Sequence, residues 1–193
     1  MNLVERVKSI LLQPKAEWPV IAGEPGDAGY LYSNYVCIVA AIPPVCMFIG
    51  GVIFGYGPFH IGIVAGLLHA IVQYALILVG VFVVAYVIDY LAGVFDGQKN
   101  LDNAMRVSAY APTAAWVAGV FHIIPFLGVL SIVGLYSIYL LHTGIAALMK
   151  PPESKAIIYT VAVIVCVFVI YLVIFGIAGA ILGVGMIGAM GRM

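Results

Sequence analysis

The chain has 193 residues, 65% of them hydrophobic and only 8% charged, with a formal net charge of zero. Soluble domains are nearer half apolar and a quarter charged, so this composition excludes an ordinary soluble enzyme and points to the membrane. There is no basic face for nucleic acid and no acidic solvating tail. At ~20 apolar residues per crossing, the length allows several spans and no soluble domain large enough to fold alone.

The chain divides into an N-terminal cytoplasmic or interfacial segment, residues 1–33, and a transmembrane domain, residues 34–193. Glu5, Arg6 and Lys8 interrupt residues 1–12, so no cleavable apolar leader is expected there. Residues 2–12 instead read as a short amphipathic helix, with Leu3, Val7, Ile10 and Leu11 at helical spacing and Glu5, Arg6, Lys8 and Ser9 between them. Such a helix lies on the membrane surface or packs under the bundle. Gln13-Pro14 ends it, and residues 13–33 read as a polar connector with a turn at Gly23-Glu24-Pro25-Gly26-Asp27. Trp18, Tyr30, Tyr32 and Tyr35 approach the first span, where aromatic residues favour the headgroup level, so Trp18 is expected at the interface.

Five spans follow, at about 34–55, 62–91, 103–123, 127–148 and 156–180. Pro43-Pro44 should kink the first, since each proline removes a backbone donor. Gly55-Tyr56-Gly57-Pro58 turns the chain into a second span longer than a bilayer needs. After the polar loop Asp96–Asn100, Asn100 or Asp102 should cap the third helix, and Ile124-Pro125-Phe126-Leu127-Gly128 makes a short apolar turn into the fourth. Lys150-Pro151-Pro152-Glu153 precedes the fifth, whose apolar character continues to Met190. That glycine-rich extension is too long for the span alone and calls for a kink or a separate surface segment. The expected fold is therefore all-α, a polytopic bundle of five transmembrane helices preceded by a short amphipathic helix.

Basic residues orient it. Arg6, Lys8, Lys15, Lys99, Arg106, Lys150 and Lys155 fall on one side of a five-span chain, and Arg192 on the other. By the positive-inside rule the N-terminus is cytoplasmic and the C-terminus outside, and an even number of spans would spoil the sorting.

Ionisable residues inside a membrane are functional candidates by default. Asp89 ends the second span and Arg106 begins the third, joined by one loop, so they are expected to pair, to bracket a polar pocket, or each to reach headgroups. His60 and His122 belong at outer helix ends. His69 and His142 lie deeper but at mismatched depths, which favours hydrogen bonds to neighbouring helices over haem or metal ligation. Cys37, Cys46 and Cys166 sit in apolar runs as packing residues. Gly51–Gly55, Gly62–Gly66 and Gly179–Gly183 fit the small-xxx-small pattern of close helix packing. No nucleophile–base set, phosphate loop or metal-ligand cluster is legible, so no cofactor and no metal are expected.

The opening helix, Leu11-Leu12-Gln13-Pro14 followed by Glu17-Trp18, and the kinked Ala41-Ile42-Pro43 form a recognisable set with Arg106-Val107-Ser108-Ala109-Tyr110-Ala111-Pro112. The turn Ile124–Gly128 and Tyr136–Gly144 complete it. Together they resemble the Yip domain family, in its short bacterial inner-membrane form. The resemblance implies five spans and a cytoplasmic N-terminus. Eukaryotic relatives bind prenylated Rab GTPases through long cytosolic N-terminal regions; this N-terminal region is short, so Rab binding is not carried over.

The implied role is a non-enzymatic membrane scaffold or adaptor that binds another membrane protein or organises lipid. Asp89, Arg106, Tyr110, Pro112 and His142 are the candidate polar or shaping positions in the membrane. Expected partners are membrane lipids, another membrane protein or a further copy of the chain. The competing readings are an oligomeric small-solute channel or transporter using Gln73 and His69, and a lipid- or quinone-linked enzyme using Tyr110, His142 and Asp89.

Overall fold

The computed structural model describes residues 2–24, 27–55 and 62–190, with side chains except at 125, 175, 178 and 180–190. Every described element is helical. Helix α1, Leu3–Leu12, starts at a reciprocal cap in which the Asn2 side chain accepts from the backbone while Glu5 reaches back to the Asn2 N–H. The expected connector contains a second helix, α2, Pro14–Gly23. Pro14 is tolerated at its first turn because that N–H has no intrahelical partner anyway, and Glu17 in the same turn favours the positive helix end. The hairpin packs under the bundle, with Ile10, Trp18 and Ile21 buried in the common core.

Helix α3 spans Ala28–Ile53. After a first α-helical turn it passes through a π-helical turn at Tyr32–Val36 and bends at Ala40–Ala41, where Pro43 and Pro44 supply no N–H to the carbonyls of Val39 and Ala40. Gly55, at φ 67°, begins the turn; residues 56–61, with His60 and the rest of that turn, lie outside the described residues. Helix α4, Ile63–Val94, is a single continuous helix of 32 residues, longer than one crossing needs. Tyr32 and Tyr74 cross-link α3 and α4, each donating to a carbonyl of the other helix, Leu78 and Cys37, at 2.7 Å.

The third segment departs from expectation. Asn100 caps α5, Leu101–Tyr110, by accepting from Asn103 N–H at 2.9 Å. The helix then breaks at Ala111–Pro112, resumes as α6, Thr113–Ala118, and tightens into a 3-10 turn at Gly119–Ile123. Pro112 leaves the Ser108 carbonyl without its i+4 donor, so the helix cannot run through. Consequently, among the described residues, four helices, not five, are long and apolar enough to cross a membrane: α3, α4, α7 (Phe126–Met149) and the stretch Glu153–Ile174. Helix α8 contains that last stretch and runs without interruption over Glu153–Met190, in place of the expected kink or surface segment.

Contacts define two ends. At one, Gln98 N–H donates to the Met149 carbonyl at 2.7 Å, Lys155 pairs with Asp96, and Asn103 donates to the Leu148 carbonyl at 3.1 Å. The two loops carrying Lys99 and Lys150 are thus stitched together, and the α1–α2 hairpin caps the same end. At the other end, Gly50 lies directly against the carbonyls of His122 and Ile123. The broken segment therefore travels from the first end to the second, and α7 returns. Most outward side chains of α4 and α8 are exposed and apolar, such as Val64, Ile71, Phe168 and Leu172, as lipid-facing positions must be.

Candidate functional site

The hairpin end holds the densest polar cluster. Arg6 sits on the same stripe of α1 as Leu3 and Ile10 and is 4% exposed. Its guanidinium forks to two carboxylates, Glu17 in α2 and Glu24 just beyond it. A buried cation needs compensation of this kind, and the planar fork of arginine can serve two acceptors at once. The same guanidinium lies 5.6 Å from the centre of the Tyr110 ring.

Tyr110 is the hub. The Tyr35 ring lies 4.5 Å from it and the Trp18 ring approaches edge-on at 6.5 Å. The π-helical turn of α3 and the break after α5 bring Tyr35 and Thr113 together: the two hydroxyls are 2.7 Å apart, and Thr113 also donates to the Tyr110 carbonyl. A cavity of about 50 Å³ borders Arg6, Glu24, Tyr30, Asn34, Tyr35 and Tyr110.

Arg106 completes the cluster from α5. It donates to Asn103 Oδ1 at 2.7 Å and to the Glu24 carbonyl at 2.6 Å. Asp89 is not a partner; it stays half-buried on α4, and no ion pair joins the two. The formal charges of Arg6, Arg106, Glu17 and Glu24 cancel, so the cluster is neutral. Its donors and acceptors are largely consumed in fixing the hairpin to α5.

Trp18 is packed inside the protein. It is fully buried, donates through Nε1 to Thr143 Oγ1 at 3.0 Å, and lies flush against Gly144, where an added Cβ would come within 2.7 Å of the indole. Its large apolar surface is buried under α7. Pro112 marks the helix break, and Tyr110 stands two residues before it. His142 is removed from both, with Nδ1 3.0 Å from Thr160 Oγ1 on α8. Among the described residues, no group of three His, Cys, Asp or Glu is placed to hold a metal.

Sequence reasoning missed Arg6, Glu17 and Glu24. The signal was a cation at i+3 from Leu3 on the apolar stripe, followed by two carboxylates seven residues apart.

A multi-pass helical membrane protein, capped at one end by a charge-locked helical hairpin, is the class this fold and site define. The family model described as "Yip1 domain" matches residues 8–177, and the chain belongs to that family. It is 27% identical over 166 residues to "Inner membrane protein YohC" of Escherichia coli strain K12, covering 81% of this chain and 85% of the relative. The protein of the same name in E. coli O6:H1 matches equally. No solved structure matches. With its apolar helices and this inner-membrane relative, the chain is a multi-pass inner-membrane protein.

Proposed function

We propose that this protein is a non-enzymatic scaffold of the bacterial inner membrane. It binds another membrane protein through its hairpin end, which faces the cytoplasm. The observation that carries this reading is the rigid mounting of the hairpin. Arg6, Trp18 and Arg106 lock its inner face, while Val4, Leu12 and Val20 stay half to three-quarters exposed beside Glu5, Lys8 and Lys15. A fixed surface mixing apolar and charged side chains suits protein docking better than flux or chemistry. In this reading the broken segment 101–123 is the fifth crossing. Its irregular backbone is tolerated because protein surrounds it.

Photo-crosslinking side chains placed singly at Leu12, Val20 and the lipid-facing Leu172 test the proposal in cells. Leu12 and Val20 should each give one discrete protein adduct that disappears on Arg6→Gln, while Leu172 gives lipid adducts. Lipid adducts alone at all three positions would reject the scaffold. One observation favours a second reading, a solute pathway: Gln73 is 3% exposed on α4, and its Oε1 has no hydrogen-bond partner among the described residues. Solute flux in proteoliposomes, lost on Gln73→Leu, would place that reading first.

A further inference from the structure

A second feature lies away from the hairpin. Between the break at Ala111–Pro112 and helices α4, α7 and α8 is a partly open cavity of about 220 Å³. Ile77, Val81 and Val84 of α4 face Ile164, Val167 and Ile174 of α8 across it. Its hydroxyl-bearing walls include two serines that are already engaged. Ser108 donates to the Met105 carbonyl at 3.0 Å, and Ser137 accepts from Ala115 N–H at 2.9 Å. The other polar groups on the wall are Tyr171 and the Trp116 indole, few for a space of this size when each water needs two to four polar partners.

Depth identifies the solvent that competes for the cavity. Ile77 to Val84 lie about 21–32 Å along α4, a helix of about 48 Å. That is the middle of the crossing, level with the bilayer hydrocarbon. The cavity exists because α5 stops: a helix continued straight through Pro112 would leave no such re-entrant corner between α4 and α8.

We propose that this cavity binds an acyl chain of a membrane phospholipid, entering from the surrounding bilayer. The assignment is independent of the scaffold reading. Three facts carry it: an apolar wall, a position at hydrocarbon depth and an opening. Size agrees, because an apolar protein cavity of ~150 Å³ already admits benzene. A volume of about 220 Å³ takes a longer run of methylenes while leaving the headgroup at the membrane surface.

Tryptophan quenching tests this directly. The chain has two tryptophans; Trp116 is on the cavity wall, and Trp18 is buried beneath the hairpin. Full-length protein is placed in nanodiscs of phosphatidylcholine with or without bromine at mid-chain, since bromine quenches indole on contact. The wild type minus Trp116→Phe gives the Trp116 emission; Trp116→Phe alone gives that of Trp18. The expected result is that brominated chains remove most of the Trp116 emission and little of the Trp18 emission.

Val84→Phe, which fills the cavity, should restore Trp116 emission. Val84→Ala, which enlarges the cavity and avoids overpacking, should keep the quench. Equal quenching of both tryptophans, or none at Trp116, would overturn the proposal. So would a folded Val84→Phe protein quenched like the wild type, or an isoprenoid recovered in place of phospholipid in stoichiometric amount.

Discussion

Arg6 decides whether the hairpin is part of the bundle. Removing one member of a buried ion pair costs about 3–5 kcal/mol, because the remaining charge stays buried without compensation. Arg6→Gln should therefore lower the detergent unfolding midpoint sharply. Glu17→Gln should do so less, since Glu24 remains. In a double-mutant cycle, the pair Arg6→Gln with Glu17→Gln should show coupling above about 0.5 kcal/mol. Asp89→Asn with Arg106→Gln should add without coupling, because Arg106 bonds Asn103 and the Glu24 carbonyl instead. Measured coupling between Asp89 and Arg106 would contradict the geometry. The sequence exposed Asp89 and Arg106 as candidates because both interrupt apolar runs. It concealed Arg6, because the amphipathic reading of residues 2–12 grouped it with Glu5, Lys8 and Ser9 between the apolar positions. The burial of Trp18 was hidden for a related reason: nearness to a span in sequence does not show what packs on a side chain, and here α7 does.

Elements were legible wherever one local force dominates. The prolines of α3, the Asn100 cap and the length of α4 follow from backbone chemistry, and the structure agrees on each. Helix α2 was not legible, because a ten-residue segment with two prolines has weak intrinsic helicity and forms through packing of Trp18 and Ile21. The joints between elements depend on close approach more than on charge. Gly97 separates the two stitched loops, and an added Cβ would lie 2.9 Å from the Met149 carbonyl. Gly97→Ala should cost about 1–3 kcal/mol by forcing backbone apart. Lys155→Gln should cost less than about 1 kcal/mol, since its bridge to Asp96 is roughly half exposed. Gly144→Ala should resemble Gly97→Ala, because its methyl group meets the Trp18 indole. Midpoints in detergent check all three; a larger loss for Lys155→Gln than for Gly97→Ala would reverse this ranking.

For the whole molecule, the number of crossings is the quantity on which orientation turns. Composition and length identify four spanning helices, and charge sorting asked for five. The proposed fifth crossing is the segment from Leu101 to Ile123, which leaves the end where Gln98 meets Met149 and reaches Gly50 at the other. Pro112 divides this segment into pieces each too short to span alone. The hairpin end carries Arg6, Lys8, Lys15, Lys99, Arg106, Lys150 and Lys155, so it should lie in the cytoplasm. Helix α8 starts at that end and runs about 57 Å, more than a bilayer, so it should deliver the C-terminus to the periplasm. A fluorescent protein fused before Asn2 should therefore glow, and alkaline phosphatase fused after the last residue should be active. The same phosphatase inserted in the loop at Gly97 should be inactive, and inserted after Ile124 it should be active. Activity at the C-terminus with inactivity after Ile124 would mean that 101–123 does not cross and that α7 and α8 are arranged differently. Inactivity at both sites would leave an even number of crossings and remove the charge argument with it. Replacing Pro112 by Ala adds a control, since a continuous helix should leave the orientation unchanged while closing the corner beside α4.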